Sequence, residues 1–328
     1  MPDKFQTHEL TMPADAAGLR LDQALAALLP QYSRSRLQRW LADGAIKVDD
    51  GTARASSRVA GGEAVVVKAA PAINTRVAAE DIALDVVHAD KSLIVINKPA
   101  GMVVHPGAGN REHTLQNALL AYDAKLARVP RAGLVHRLDK DTTGLLIVAR
   151  TLAVHARLVA ALQAREIGRE YLALCAGRPT GGATIDKPIG RHRTHRTRMS
   201  VRSDGREAIT HYTIEERFRG HTLLRVQLET GRTHQIRVHL AHAGLPVFGD
   251  PEYGGRARQL SGASVALRAL MQGFRRQALH AQRLTLVHPA TGKERSFEAP
   301  LPADFKALLT ALRADARAAS AARADKRR

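Results

Sequence analysis

Residues 133–150 read Gly-Leu-Val-His-Arg-Leu-Asp-Lys-Asp-Thr-Thr-Gly-Leu-Leu-Ile-Val-Ala-Arg, with a polar segment, His136 to Thr143, between two apolar runs. Leu145–Ala149 is continuous and apolar, with the length and residue types of a buried strand. Asp139 lies at the centre of the polar segment, two residues after Arg137. A carboxylate and a guanidinium at the edge of a rigid strand is how a reactive group is positioned. A solvated turn with ordinary surface charge has the same composition, so the rest of the chain must decide.

The chain has 328 residues, 45% of them hydrophobic, enough for one large domain and a small one. Its net charge of +19 exceeds what solubility needs and favours a polyanionic partner, most simply nucleic acid, with an anionic membrane surface as the competitor. No run approaches the roughly 18 apolar residues of a membrane span, and residues 1–18 lack the apolar core of an export signal. Cys175 is the only cysteine, which excludes an internal disulfide and fits a cytoplasmic setting. It sits in the apolar run Tyr171–Ala176 and reads as a core residue rather than a nucleophile. Aromatic content of 4% argues against a broad base-stacking platform.

Residues 1–15 are polar and read as a flexible arm. Leu21, Leu25, Leu28 and Leu29 recur at helical spacing, and Pro30 ends that helix. Ser33 is placed as the N-cap of a second helix with Leu37, Trp40 and Leu41 on its apolar face and Gly44 as its stop. Ile46–Val48 followed by Asp49-Asp50-Gly51 reads as a strand and a tight turn, and Val65–Val67 as another strand. Arg34, Arg36 and Arg39 give the second helix a basic outer face suited to phosphate. Residues 77–81 read as a linker. Beyond it, 82–87, 93–97, 170–176, 210–215 and 222–229 have strand character, while 114–121, 153–165, 233–243 and 304–313 are helical. Strands and helices interleave without a βαβ rhythm, so residues 82–312 form an α+β domain with a mixed, mainly antiparallel sheet. The alanine- and arginine-rich stretch 313–328 reads as a basic, disordered tail.

The central segment admits several chemistries. A metal site on Asp139-x-Asp141 would need more oxygen ligands, and no other acidic cluster lies nearby in sequence. A glycosidase-like pair would draw its two carboxylates from separate elements. A turn with Arg137 satisfying carbonyls has no chemistry at all. His234, His239 and His242 do not share one helix face well and have no cysteine or acidic partner to complete a zinc site, so no metal is assigned.

Two resemblances narrow this. Arg-Leu-Asp-Gln-Ala-Leu at 20–25 and Ser-Arg-Ser-Arg at 33–36, within two helices and a hairpin, make residues 16–76 similar to the S4-type RNA-binding domain. His136-Arg137-Leu138-Asp139-Lys140-Asp141-Thr142-Thr143-Gly144 resembles the signature of the RluA-type pseudouridine synthases. Asn97-Lys98-Pro99, His105-Pro106-Gly107, Arg169-Glu170-Tyr171, the block from Gly231 to His239 and Leu279-His280-Ala281 match that family's blocks in order. The blocks 103–110 and 249–255 resemble members acting on large-subunit ribosomal RNA. Thr143 stands where many members have serine, which keeps the hydroxyl.

The resemblance implies a pseudouridine synthase fold and isomerisation of uridine within RNA. The N1–C1′ bond breaks, the uracil turns, and C5 rejoins the sugar; with no redox change and no net hydrolysis, no cofactor is implied. It implies Asp139 as the essential carboxylate, Arg237 as its charge partner and Tyr171 as the side chain that stacks on the uracil. Arg137 is implied as the guanidinium that fills the gap left by the extruded base. Attack at C1′, attack at C6 and base-promoted elimination all remain open for Asp139. The basic run 191–206 supplies Arg193, Arg196 and Arg198 as backbone contacts. The implied partner is large-subunit (23S) ribosomal RNA or its precursor, in the helix 69 stem-loop, with no membrane partner and no need for more than a monomer. The competing readings are a non-catalytic S4-type assembly factor, a synthase of the same family acting on transfer RNA, and an RNA-dependent hydrolase.

Overall fold

The computed structural model describes residues 6–30, 32, 34–69, 77–107, 109–195, 197–254 and 260–325. The chain divides into two compact units, with the boundary between Arg76 and Val77. The first contains β1 (Gln6–Thr11), α1 (Leu21–Leu28), α2 (Arg34–Ala42), β2 (Ile46–Val48), β3 (Gly51–Thr52) and β4 (Ala64–Ala69). Its antiparallel sheet has the order β1-β4-β2-β3. Leu21 and Leu25 of α1 and Leu37, Trp40 and Leu41 of α2 pack on Ile46, Val65 and Val67. Asp49 and Asp50 both take positive φ, which closes the β2–β3 hairpin. Ser33 lies outside the described residues.

The first fifteen residues are not wholly a flexible arm. From Gln6 the chain is an edge strand paired with β4, with Leu10 opposite Val65, and Met12 is buried. Only one residue in two of an edge strand need be apolar, and here the ladder itself holds the segment.

The second unit contains β5 (Val86–Ala89), β6 (Leu93–Lys98), α3 (Leu115–Tyr122), β7 (Thr143–Ala149), α4 (Leu152–Gln163), β8 (Gly168–Ala176), β9 (Ala183–Asp186), β10 (Ile189–Arg191) and β11 (Met199–Val201). It continues with β12 (Ile209–Arg217), β13 (His221–Leu228), α5 (Gln235–His242), α6 (Val265–Gly273), β14 (Leu279–Val287), β15 (Glu294–Glu298) and α7 (Ala303–Asp325). Its large sheet runs β5-β6-β7-β14-β8-β13-β12-β9, with β15 added on β14 and the β7–β14 pairing parallel. The rest of the ladder is antiparallel, as expected for a mixed, mainly antiparallel α+β domain. Every residue of β7 is buried because both faces are covered. One face packs Leu146 and Val148 with α3 and α5 residues, and the other packs Leu145 and Ile147 with Val154 and Leu158 of α4.

Three expectations change. Residues 82–85 are extended without joining a ladder, and β5 begins at Val86. Residues 77–81 are fastened to the second unit: the Ala78 carbonyl accepts from Asn117 at 2.8 Å and the Glu80 carboxylate from the His113 amide at 3.0 Å. The disordered tail expected from 313 is instead helix as far as Asp325. Alanine and arginine favour helix strongly, and Arg313–Glu216 (2.7 Å) and Arg219–Asp315 (3.0 Å) tie α7 to the sheet side of the unit.

Asp22 organises the first unit. Its buried carboxylate takes Arg20 at 3.1 Å, Arg34 at 2.9 Å and the Gln38 amide. Burial alone would raise its pKa, but Gln38 and the two guanidiniums hold it down at about 2. The folded value lies below that of an unfolded aspartate, so the contribution is complete above about pH 4 and is lost as pH falls toward 2. Trp40 is the chain's one tryptophan and reports on this unit. We expect the urea midpoint read by its fluorescence to fall from pH 5 to pH 2. Asp22→Asn should flatten that fall and cost about 1–2 kcal/mol at neutral pH; an unchanged acid profile would contradict the assignment.

Candidate active site

Sheet register builds the site. Ala281 of β14 faces Gly144 of β7 on one side and Tyr171 of β8 on the other. The turn that carries Asp139 therefore enters β7 beside Tyr171. Gly144 has φ of 108°, and a Cβ there would stand 2.2 Å from the Ala281 carbonyl oxygen, so the parallel pairing needs glycine at this point. The turn is closed by the Thr142 amide on the Asp139 carbonyl at 3.1 Å. Thr143 Oγ1 lies 2.8 Å from His280 Nδ1, and Gln277 donates to Thr142 Oγ1 at 3.2 Å.

Lys98 braces the same turn. It is fully buried, and its Nζ donates to the carbonyls of Pro99 (2.6 Å), Met102 (2.9 Å) and Lys140 (2.8 Å). Burial pulls its pKa down to about 7 against the opposing charges of Asp141 and Asp139.

Arg237, on α5, reaches Asp139 from 98 residues away: Nη1 lies 3.1 Å from Oδ2. Its other edge grips Asp250, Nε at 2.7 Å and Nη2 at 2.9 Å, and Nη2 also meets Glu252 at 3.2 Å. Asp250 is fixed in turn by the amides of Glu252 and Tyr253, at 2.8 and 3.0 Å. Burial opposes the charge of Arg237, but Asp250 and Asp139 more than offset it, and its pKa is raised. The guanidinium lies over the Tyr253 ring at 4.9 Å. His234 precedes α5 in the left-handed conformation, φ 56°, which is costly for a residue with a Cβ. Its Nδ1 is 2.9 Å from the Tyr253 hydroxyl, and its Nε2 is 3.9 Å from Asp139.

Of these groups Asp139, Thr142, His234 and Arg237 line a cleft of about 630 Å³. Asp139, Tyr171, Arg237 and Arg137 all border it, so the four residues expected from distant blocks do come together. Tyr171 is buried among core residues, and burial raises its pKa, with Arg169 acting in the opposite sense. Arg137 is exposed at the same cleft. Arg193 and Arg198 flank the turn between β10 and β11 and are not among the cleft-lining residues; Arg196 lies outside the described residues. The hairpin is nevertheless tied to the site, since the Met199 amide donates to the Tyr253 hydroxyl at 2.8 Å. In the first unit Arg39 is exposed, Arg34 is paired with Asp22, and Arg36 stacks on Trp40 at 4.7 Å. Arg34 and Arg36 are thus partly committed within the protein.

Sequence reasoning missed Lys98, His234, Asp250, Glu252 and Tyr253 as site residues. The signal for the last three was the block at 249–255, which carried a resemblance but no partner. His239 is a satisfied core histidine: Nδ1 meets Thr210 and Nε2 the Lys187 carbonyl, both at 2.9 Å. Burial keeps Cys175 a thiol, as expected of a core residue.

A family profile described as RNA pseudouridylate synthase matches residues 92–242, and an S4 domain profile matches 19–65. The chain is 51% identical over 316 residues to the ribosomal large subunit pseudouridine synthase D of Xanthomonas campestris pv. campestris, covering 96% of each. It belongs to the RNA pseudouridylate synthase family. The corresponding protein of Pseudomonas aeruginosa is 52% identical over 304 residues, 93% of this chain and 95% of that one. Among solved structures, human RNA pseudouridylate synthase domain containing 4 aligns with a TM-score of 0.55 at 26% identity, covering 70% of this chain and 92% of that one. The chain is an RNA pseudouridine synthase with an S4 domain.

Lys98 gives the site a direct test. Lys98→Met removes the buried donor shared by three carbonyls, and each lost hydrogen bond costs about 0.5–1.5 kcal/mol. We expect the calorimetric transition of the second unit to fall by several degrees; an unchanged transition would remove the brace.

Proposed function

We propose that the chain converts uridine to pseudouridine in large-subunit ribosomal RNA, with Asp139 as the catalytic carboxylate. The observation that carries this reading is the 3.1 Å Asp139–Arg237 pair in a cleft that Tyr171 and Arg137 also line. The cleft's volume is that of a small-molecule site, suited to one extruded nucleotide. The RNA target follows the relatives named as ribosomal large subunit pseudouridine synthases, and the blocks at 103–110 and 249–255 favour the helix 69 stem-loop within it. A cytoplasmic setting goes with that substrate, and the described residues hold no helix long and apolar enough to cross a membrane.

In this reading Asp139 acts on the sugar or the base while Arg237 holds its carboxylate in place. Tyr171 stacks on the uracil and presents its hydroxyl to the reacting ring. Arg137, exposed beside the cleft, enters the RNA helix where the uridine left it and recovers part of the unstacking cost, a few kcal/mol. Arg193, Arg196 and Arg198 clamp the backbone, and the S4 unit adds phosphate contacts through Arg34, Arg36 and Arg39 on α2. One chain suffices, and the balanced isomerisation draws on no cofactor.

The test is tritium release from RNA labelled at uracil C5. The unmodified chain should release tritium and Asp139→Asn should release none while still binding RNA. Full activity in the variant would remove Asp139 from its role. Binding without release by the unmodified chain would favour a non-catalytic assembly factor. Neutralising Arg193, Arg196 and Arg198 together should flatten the slope of log affinity against log salt by about 2–3; an unchanged slope would count against the clamp.

A further inference from the structure

Arg169 stands on β8 two residues before Tyr171, on the same face of the strand, and lines the cleft. It is buried. Its hydrogen bonds run from Nη2 alone, to the Leu228 carbonyl at 3.4 Å and the Glu229 carbonyl at 3.2 Å. Nε is closed off from solvent and meets no acceptor among the described residues. Gly231 leaves room for the group, since a Cβ there would stand 2.9 Å from Nη1. The two other buried arginines of the described residues, Arg237 and Arg276, each close on a carboxylate: Asp250 at 2.7 Å and Asp304 at 2.8 Å. Among the described residues Arg169 has no such partner. A buried cation with an unmet donor is destabilising in the empty protein, and a charge kept in that state beside a reaction centre is matched to one that arrives later.

The reaction supplies that charge. When the N1–C1′ bond breaks, its electron pair goes to the uracil and spreads from N1 over O2 and O4. C5 then bonds to C1′, the C5 proton leaves, and N1 takes up a proton, so atoms and electrons balance. On each route open to Asp139, negative charge gathers on the base. We propose that Arg169 is a further catalytic residue whose guanidinium donates to a uracil carbonyl oxygen as the base becomes anionic. This rests on the reaction assigned above.

Leaving-group chemistry tests it. Fluorine at C5 withdraws electrons and lets the uracil carry the charge with less help. Single-turnover rates are measured on uridine RNA and on the same RNA with 5-fluorouridine at the target, by following loss of each nucleoside after nuclease digestion. Arg169→Met should slow uridine conversion by about 100-fold, the effect of losing one anion-stabilising donor. Its dissociation constant for RNA should move less than about threefold, because the interaction strengthens only as the base becomes anionic. The deficit should shrink at least about tenfold on 5-fluorouridine. Arg169→Lys, which keeps the charge and is the less disruptive change, should show the same dependence on fluorine with a smaller deficit. Equal slowing on both RNAs in a folded variant overturns the proposal, as does a loss confined to affinity with a reduced salt slope, which marks a phosphate contact. If the unmodified chain converts neither RNA, the assigned reaction fails and this proposal with it. If it converts both and the variants slow both alike, only the role of Arg169 fails.

Discussion

One guanidinium holds the catalytic unit together. Arg237 spends its Nε–Nη2 edge on Asp250 and has one corner, Nη1, left for Asp139. A planar fork bound along one edge cannot swing, so the remaining donor points in a fixed direction. Asp250 is itself held by two backbone amides, and Tyr253 backs the guanidinium plane. The position of Asp139 is therefore set from the far side of the site, through Arg237. A point charge on a flexible stem would not carry that geometry.

The sheet supplies the other half of the constraint. β7 runs parallel to β14 while β8 runs antiparallel to it, which brings the entrance to β7 and the middle of β8 into one row. Gly144 permits the close pairing, and Lys98 gathers three carbonyls around the turn. Asp139 is thus fixed at its backbone by the sheet and at its carboxylate by α5. His234, in its left-handed conformation before α5, completes the contact between helix and carboxylate.

Strong patterns made much of this legible from residues alone. The run Leu145–Ala149 is buried throughout, as its composition requires, and the helical spacing around Leu21–Leu29 and Leu37–Leu41 marks α1 and α2. Asp139, Tyr171, Arg237 and Arg137 were placed together by resemblance, and no local period could have joined positions 98 residues apart. The brace was illegible because a lysine is almost never fully buried, so Lys98 reads as a surface residue until its three carbonyls are seen. β1 was hidden because a paired edge strand needs few apolar residues, and the end of α7 because alanine and arginine serve both a helix and a solvated tail. The partners of Arg34 and Arg36 were illegible because Asp22 and Trp40 meet them through contacts made only in the fold.

If Asp250 acts through Arg237, the two are one device and their losses should not multiply. Single-turnover isomerisation by Asp250→Asn, Arg237→Lys and the double variant measures this directly. We expect each single change to slow the reaction by about 100-fold through misplacement, and the double variant to be no slower than the worse single one. Multiplying losses would show that Asp250 and Arg237 contribute independently and would contradict the account.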